Sequence, residues 1–489
     1  MKVLFLNPPF LKKFSRPQRS PAVTKSGTLY FPLWLATAAG LLMKEGFEVD
    51  FIDAPADGLT MNDVEIRAEG FKPEFIVLDT STPSIKNDVA MAGRLKDLFP
   101  KAFVTLVGTH VSALADDVMK MDSRIDAISR NEYDYTILEL ARALSSKAPI
   151  KDIQGITWNN NGKIVHNERR PYIEDLDNLP FVSIVYKKFL KIENYFNPNA
   201  LFPMVTITSS RGCPFPCTFC VYPQTLMGRG YRLRSVENVV SEMEYIIKNF
   251  PQAKAVFFED DTMTVDKKRC KELSELIIKR GVKISWSANS RIGIDYETMR
   301  IMREAGCRSL CVGFESGSQK ILDGMKKKTK TKDMMAFIND AKRAGIIIHG
   351  CFMAGLPGET KETLKETLDL AIALGPDTVQ FYPVMVYPGT EAYDWYKQKN
   401  LIRSSDFSDW ITPDGLHNTV IRTEELSSDE LVKFCDDARR QFYLRPVYLI
   451  YKFKQLVTQP REIRRTVKAG RTFLKYLIKG SDVKKAGKH

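Results

Sequence analysis

From residue 1 to about 145 the chain alternates short apolar runs with amphipathic stretches. KVLFLNPP, EVDFIDAP, FIVLDTST, FVTLVGTH and IDAISRNE are hydrophobic runs that end on polar residues. PLWLATAAGLLMKEG, IKNDVAMAGRLKDLF and SALADDVMKM lie between them with helical spacing. Apolar runs without period-two alternation mark strands buried on both faces, and helices between them predict a doubly wound parallel sheet. Such sheets bind ligands beyond their carboxyl ends. Those ends read Asn7-Pro8-Pro9, Asp79-Thr80-Ser81-Thr82 and Gly108-Thr109-His110. The first turn carries no G-x-G-x-x-G, which argues against a nicotinamide or flavin dinucleotide.

Residues 146–200 read as a linker with one hairpin, because GITWNNNGKIVHN alternates around an Asn-Asn-Asn-Gly turn. A second series spans 201–400. MVTITSS, AVFFEDD, ISWSANS, SLCVGFES, IIIHGCFMAG and TVQFYPVMVY are its strands, with helical segments after the first five. Six units predict a partial (β/α)6 barrel rather than a complete eightfold one. Residues 401–489 form a C-terminal helical extension, in which SSDELVKFCDDARRQFYL opens on a helix cap.

A chain of 489 residues accommodates two or three such domains. The apolar run at the N-terminus is too short for a signal peptide, and none reaches the roughly eighteen residues of a membrane span. A cytoplasmic protein is expected. The net charge of +13 is uneven, since residues 441–489 hold thirteen Lys and Arg against Glu462 and Asp482. Aromatic residues Tyr448, Tyr451, Phe453, Phe473 and Tyr476 recur among these cations. The pattern fits peripheral contact with an anionic membrane surface. A solvated tail is the plain alternative; nucleic acid is not expected, because no recognition fold accompanies the charge.

Three of the eight cysteines fall in RGCPFPCTFC, as Cys213-x3-Cys217-x2-Cys220, directly after the first strand of the second series. Catalysis on barrels occurs at that end. A structural zinc closes a tetrahedron with four ligands, and no fourth partner is spaced nearby. A cubic iron–sulfur cluster held by three cysteines leaves one iron open. Cys307, Cys311 and Cys351 read as small buried hydrophobes rather than as ligands of a second cluster.

This motif, with Phe219 before its last cysteine, resembles the radical S-adenosylmethionine (SAM) superfamily over residues 200–400. The resemblance implies a 4Fe-4S cluster on Cys213, Cys217 and Cys220, with SAM on the open iron and reductive cleavage of SAM to a 5′-deoxyadenosyl radical. It also implies an external electron donor such as a flavodoxin or ferredoxin. By position, Glu259, Asp260 and Asp261 in FFEDD are candidates for the SAM amino group, although the usual Gly-Gly is absent. Glu315 and Ser316 in GFESG are candidates for the ribose or amino group, and Gly350 and Gly355 for close approach to adenine. Asn289 and Arg291 are placed near the same site. The competing reading of the acids is that they are solvated strand ends.

The first domain resembles the cobalamin-binding domain that precedes the barrel in one branch of that superfamily. Thr80, Ser81, Thr82, Gly108 and Thr109 would then meet the corrin, unless they merely cap their strands. The Asp-x-His-x-x-Gly motif is missing, since Gly108 stands two before His110. His110 is therefore not expected to ligate cobalt; it lines the corrin face or serves the fold. The implied function is cobalamin-dependent radical chemistry on an unactivated carbon: methylation, cyclisation or ring rearrangement. The resemblance is to the branch of anaerobic magnesium-protoporphyrin ester cyclases and hopanoid-associated enzymes, leaning to the latter. The substrate would be a small molecule or lipid, apolar in character: a lipid, isoprenoid or tetrapyrrole. A relic corrin domain, or a non-catalytic cobalamin or SAM sensor, are the alternatives. A methylthiotransferase is disfavoured, because no cysteine precedes Cys213.

Overall fold

The computed structural model describes residues 1–458, together with Ile463 and Gly480. Its first sheet contains β1 (Lys2–Asn7), β2 (Glu48–Asp53), β3 (Phe75–Asp79), β4 (Phe103–Val107), β5 (Ala127–Ser129), β6 (Ile156–Asn160) and β7 (Lys163–His166), in the order β2-β1-β3-β4-β5-β6-β7. The first five run parallel. Their apolar runs are continuous because helices cover both faces. Leu4, Leu6, Ile76 and Leu78 enter one core, while Val3, Phe5, Phe75 and Val77 enter another that continues into the second domain. Strand order reverses between β1 and β3, so Asn7 and Asp79 flank the crevice where such folds bind ligands.

The hairpin of β6 and β7 pairs antiparallel onto β5. It therefore extends the first sheet, which corrects its assignment to a linker. An exposed strand edge at β5 needs a partner, and the hairpin supplies its hydrogen bonds. The chain that follows does connect the two halves. Its helix Val182–Phe189 packs on helix Leu33–Lys44, and Ser183 Oγ donates to buried Glu242 at 2.9 Å.

The second half contains β8 (Met204–Ile207), the two-residue strands β9 (Ser210–Arg211) and β10 (Arg232–Leu233), then β11 (Ala255–Phe258), β12 (Ser285–Ser290), β13 (Cys307–Glu315), β14 (Ile347–Ala354) and β15 (Thr378–Pro383). Apart from the β9–β10 pair, these form one parallel sheet in strict chain order. This is the expected partial barrel of six units.

Four buried charged groups fasten the halves together. Arg211 Nη1 donates to Glu132 and Asp134, both at 2.7 Å, and Arg232 Nη1 donates to Glu132 at 2.6 Å. Glu132 also accepts the Ile173 N–H at 2.8 Å. Because β9 and β10 flank the cysteine loop, this network sets that loop against the end of β5. The segment between β1 and helix Leu33–Lys44 crosses to the barrel as well, with Ser20 Oγ 3.0 Å from Tyr387 Oη. From the other end, helix Ser428–Tyr443 packs against edge strand β15, where Tyr443 Oη bonds the Val379 backbone N–H at 2.8 Å.

Removing one member of a buried ion network leaves its partners charged and unpaired, at a cost of roughly 3–5 kcal/mol. Glu132→Ala should therefore lower the unfolding free energy of the full chain, measured in urea, by that order. Asp116→Ala, at an exposed contact with His166, should leave it nearly unchanged.

Candidate active site

The cysteine loop begins at Gly212, whose φ is +82° and where a Cβ would stand 2.1 Å from the Gly230 carbonyl. Only glycine permits this approach. Thr218 N–H donates to Met325 O at 3.1 Å and Gln224 Nε2 donates to Cys220 O at 2.8 Å, so the loop is held from both sides. Cys213 and Cys217 are buried and Cys220 is half-buried. Burial, followed by the charge of Asp261, pushes the Cys213 thiol up to about 11; the same causes raise Cys220 further. The three sulfurs do not come within 4.8 Å of one another as a set. A single tetrahedral zinc would hold its sulfurs about 3.8 Å apart, given Zn–S bonds near 2.3 Å. Three thiolates on one loop match a cluster with a separate iron at each. Arg291 reaches Cys217 Sγ with Nη1 at 3.5 Å and stacks on Phe215, placing a buried cation against the thiols. Phe219 packs against the core with Lys327 over its ring at 5.9 Å.

The three acids after β11 separate into different roles. Asp260 is consumed by the fold, accepting from Ser209 N–H at 3.1 Å, Ser209 Oγ at 2.8 Å and Ser210 Oγ. Its candidacy for SAM is corrected on that ground. Glu259 and Asp261 are paired with Arg19 of the first domain, at 2.6 and 3.2 Å. Burial raises the carboxyls of both, and Arg19 opposes that rise. Glu259 Oε2 is buried without a hydrogen-bond partner among the described residues, so it presents an unsatisfied acceptor. Asn289 Nδ2 donates to Asp260 O at 3.1 Å, beside the same acids. Nothing in the sequence pointed to Arg19, which lies 240 residues from Glu259.

Glu315 adopts φ +67°, an unfavourable left-handed conformation for a side chain with a Cβ, and such strain gathers at functional sites. Its Oε1 pairs with Lys327 at 2.7 Å while Oε2 is buried and unsatisfied. Gly313 makes room for it, since a Cβ there would meet that carboxylate at 2.2 Å. Ser316 is fully buried and turned to Thr367 Oγ1 at 3.1 Å, away from Glu315, which corrects its candidacy. The two glycines of β14 and its exit are corrected too. A Cβ on Gly350 would point at Phe314, Phe352 and Pro376, so that glycine serves packing. Gly355 commits its N–H to Glu359 and its carbonyl to Tyr396, and a Cβ there would strike Leu431 at 2.8 Å.

A narrow cleft opens beyond β3 and β4. Asp79, Thr80, Gly108, Thr109 and Tyr133 line it from the first sheet, and Tyr222 and Leu226 from just after Cys220. Arg16, Gln18 and Trp34 complete its wall. Gly108 has φ +123°, and a Cβ on it would stand 2.6 Å from Thr80 O, so this floor must be bare backbone. A flat apolar ring with polar edges suits such a floor, with Trp34 and Tyr222 beside it and hydroxyls at its rim. Ser81, Thr82 and His110 lie elsewhere. Ser81 bonds Ser84 at 2.6 Å, and Thr82 Oγ1 meets His110 Nδ1 at 3.2 Å. His110 is buried under Phe407 of the C-terminal extension, and burial lowers its pKa to about 3. These three do not line this cleft, and among the described residues no histidine does.

Burial pushes the Asp79 carboxyl up to about 7, with Arg16 opposing and Asp88 adding to the rise. The native state thus favours its protonated form. The stability it contributes is complete below about pH 4 and is lost as pH rises through 7, by at most about 4 kcal/mol for three units. Asp79→Asn should remove this slope. Relative to the wild type, its urea midpoint should rise at pH 8 and match at pH 4.

Family comparisons agree with this arrangement. The Radical SAM superfamily model matches residues 207–371, and the B12 binding domain model matches residues 19–141. An uncharacterized methyltransferase of Pyrococcus horikoshii is 31% identical over 451 residues, covering 92% of this chain and 94% of that protein. The anaerobic magnesium-protoporphyrin IX monomethyl ester cyclase of Rubrivivax gelatinosus is 28% identical over 465 residues, covering 93% and 79%. The hopanoid C-3 methylase of Methylococcus capsulatus is 21% identical over 384 residues, covering 77% and 70%. The closer likeness to the first two does not favour the hopanoid-associated members. Among solved folds, OxsB with aqua-cobalamin and SAM bound superposes with a TM-score of 0.70 at 16% identity, covering 98% of this chain and 72% of that one. TsrM from Kitasatospora setae, with cobalamin and a 4Fe-4S cluster bound, gives 0.64 at 17% identity, covering 90% and 81%. The cofactors are a 4Fe-4S cluster, SAM and cobalamin. The chain belongs to the radical SAM superfamily, in the branch that joins a B12 binding domain to the radical SAM barrel, and is a cobalamin-dependent enzyme of its methyltransferase and cyclase group.

Proposed function

We propose that this enzyme methylates or cyclises an apolar substrate at an unactivated carbon, with the cluster on Cys213, Cys217 and Cys220 and the corrin in the cleft of the first domain. The observation that carries the reading is the helix Val221–Thr225, which begins one residue after Cys220 and gives Tyr222 to the cleft wall. A group on the cysteines and a group in the cleft would share that helix, close enough to act on one substrate. When bound, the reduced cluster supplies the electron that cleaves SAM, and the corrin supplies a carrier for a methyl group. A small-molecule substrate and an electron donor are required by this chemistry. Glu259 and Glu315 each offer an unsatisfied carboxylate oxygen, suited to an ammonium or ribose hydroxyls. Arg291 holds positive charge beside the thiolates, which favours the added electron. Arg19 reaches the barrel mouth from the first domain and fixes the Glu259 and Asp261 carboxylates.

An apolar substrate, and a site at the membrane face, find support in the C-terminal helix Pro446–Thr458. Val447, Phe453 and Val457 are 78%, 70% and 66% exposed, and Leu449 and Ile450 are exposed beside them. Tyr451 keeps 43% of its surface exposed, with its hydroxyl on the Asp377 carboxylate, whereas Tyr448 is buried with its hydroxyl on the Asp377 carbonyl at 3.0 Å, so Tyr448 alone is corrected out of the interface. Residues 441–445 close the helix on the barrel, with Phe442 fully buried. Phe473 and Tyr476, and most of the basic tail, lie outside the described residues. No helix among the described residues is long and apolar enough to cross a membrane, so contact would be peripheral.

Anaerobically reconstituted protein given dithionite and SAM should release 5′-deoxyadenosine or S-adenosylhomocysteine and bind about one corrinoid. Each of Cys213→Ala, Cys217→Ala and Cys220→Ala should lose iron and SAM cleavage together; a variant that keeps four irons and full turnover would overturn the cluster assignment. Glu315→Gln should keep its iron but raise the KM for SAM by about tenfold, the loss of one charge-assisted hydrogen bond. Full-length protein should cosediment with anionic vesicles at low salt and release as salt rises. Removing residues 446–489 should abolish that binding and leave SAM cleavage intact. Equal binding without the tail would remove the support for a membrane-resident substrate.

A further inference from the structure

We infer that Cys311, His349 and Cys351 form a binding site for one zinc-class divalent cation in the wall of the barrel lumen. Alternate residues of β13 and β14 face opposite ways. Leu310, Val312, Ile348 and Phe352 are buried against the helices, whereas Cys311, His349 and Cys351 are half-exposed on the other face. Cys311 pairs in register with His349, and Cys351 lies two residues further on that strand, so all three share one patch. Their donor atoms lie within 4.8 Å of one another, the sole such group of metal-ligating side chains among the described residues. Cys311 and Cys351 are half-exposed, not fully buried as the expectation of hydrophobic filler requires. It still describes Cys307, which is fully buried.

The dimensions favour a single ion. Cys311 Sγ and Cys351 Sγ are 3.7 Å apart, against about 3.8 Å between sulfurs that share a tetrahedral zinc. Two thiolates and an imidazole are a borderline-soft donor set, and two thiolate charges neutralise a divalent ion without a further acid. Thr378 Oγ1, 2.8 Å from His349 Nδ1, fixes the orientation of the ring, as outer partners of metal-binding histidines do. Three protein ligands leave the fourth position open, the pattern of catalytic rather than structural zinc. Glu315, paired with Lys327 at 2.7 Å, lies further along β13 on the carboxyl-end side of this group. A bound cation would at its open position hold an oxygen, nitrogen or sulfur donor of the substrate. This site stands apart from the cluster assignment and can fail without it.

The test uses the full chain, cluster-reconstituted under anaerobic conditions, equilibrated with zinc(II), desalted, and analysed for zinc and iron. About one zinc per chain should be retained with iron unchanged, and cobalt(II) in its place should give a sulfur-to-metal charge-transfer band over the cluster background. Cys311→Ser and Cys351→Ser should each abolish retention while keeping the iron. Thr378→Val, which touches no proposed ligand atom of the cluster, should weaken zinc binding by about 10–100-fold. Equal zinc in wild type and the Cys311→Ser/Cys351→Ser double variant would overturn the site, as would zinc gained only at the expense of iron. Failure of the iron-replete wild type to retain any zinc would overturn it equally.

Discussion

The buried pairing of Arg211 and Arg232 with Glu132 and Asp134 is the constraint on which the rest depends. Both arginines come from the short strands that bracket the cysteine loop; Glu132 lies in the turn after the last parallel strand of the first sheet, and Asp134 opens the helix that follows. Burying four charges is costly unless each is matched, and here the matching is possible only in one relative placement of the halves. Geometry rather than net stability is what such a network confers. It brings the carboxyl ends of two parallel sheets to face each other, and these are the ends at which both folds bind ligands. The loop that will hold the cluster and the cleft floored by Gly108 are consequences of that opposition.

The first domain reaches further than its own sheet. Arg19, from the connection after β1, enters the barrel mouth and satisfies Glu259, Asp261 and the Asp260 carbonyl. A barrel standing alone would present these acids to water or to each other. With Arg19 present, Glu259 Oε2 is left buried without a partner among the described residues. The corrin domain thus helps determine which carboxylate can meet a cationic group in the barrel, and the two halves form one site instead of two adjacent ones.

The sequence was informative where local pattern and chemistry coincide. Continuous apolar strands, the six-unit series and the cysteine spacing were all legible, because each is encoded within a few neighbouring residues. Site residues were less so. Asp260, Ser316, Gly350 and Gly355 occupy positions that suggested ligand contact, yet their partners are Ser209, Thr367, Phe314 and Glu359. A strand's alternation decides which face a side chain takes, and one residue of offset separates Glu315 from Ser316. Arg19 left no trace, since its partners are remote in sequence. His110 seemed poised at a strand end, and only the returning segment at Phe407 shows it to be covered.

The same alternation gives the lumen its character. Above, Glu315 is held in a strained backbone conformation over Gly313, a cost that the fold sustains only where the carboxylate is needed. Below it, Cys311, His349 and Cys351 replace the apolar residues that usually line a barrel wall. Ser287 and Ser309 lie lower still, bonded to each other at 2.9 Å and to the Asn199 carbonyl. A lumen built for an apolar body alone would not spend so many polar and metal-affine groups on one sector. Polar groups thus recur at three levels of the β12–β14 sector, Ser287 with Ser309, Cys311 with His349 and Cys351, and Glu315 with Lys327.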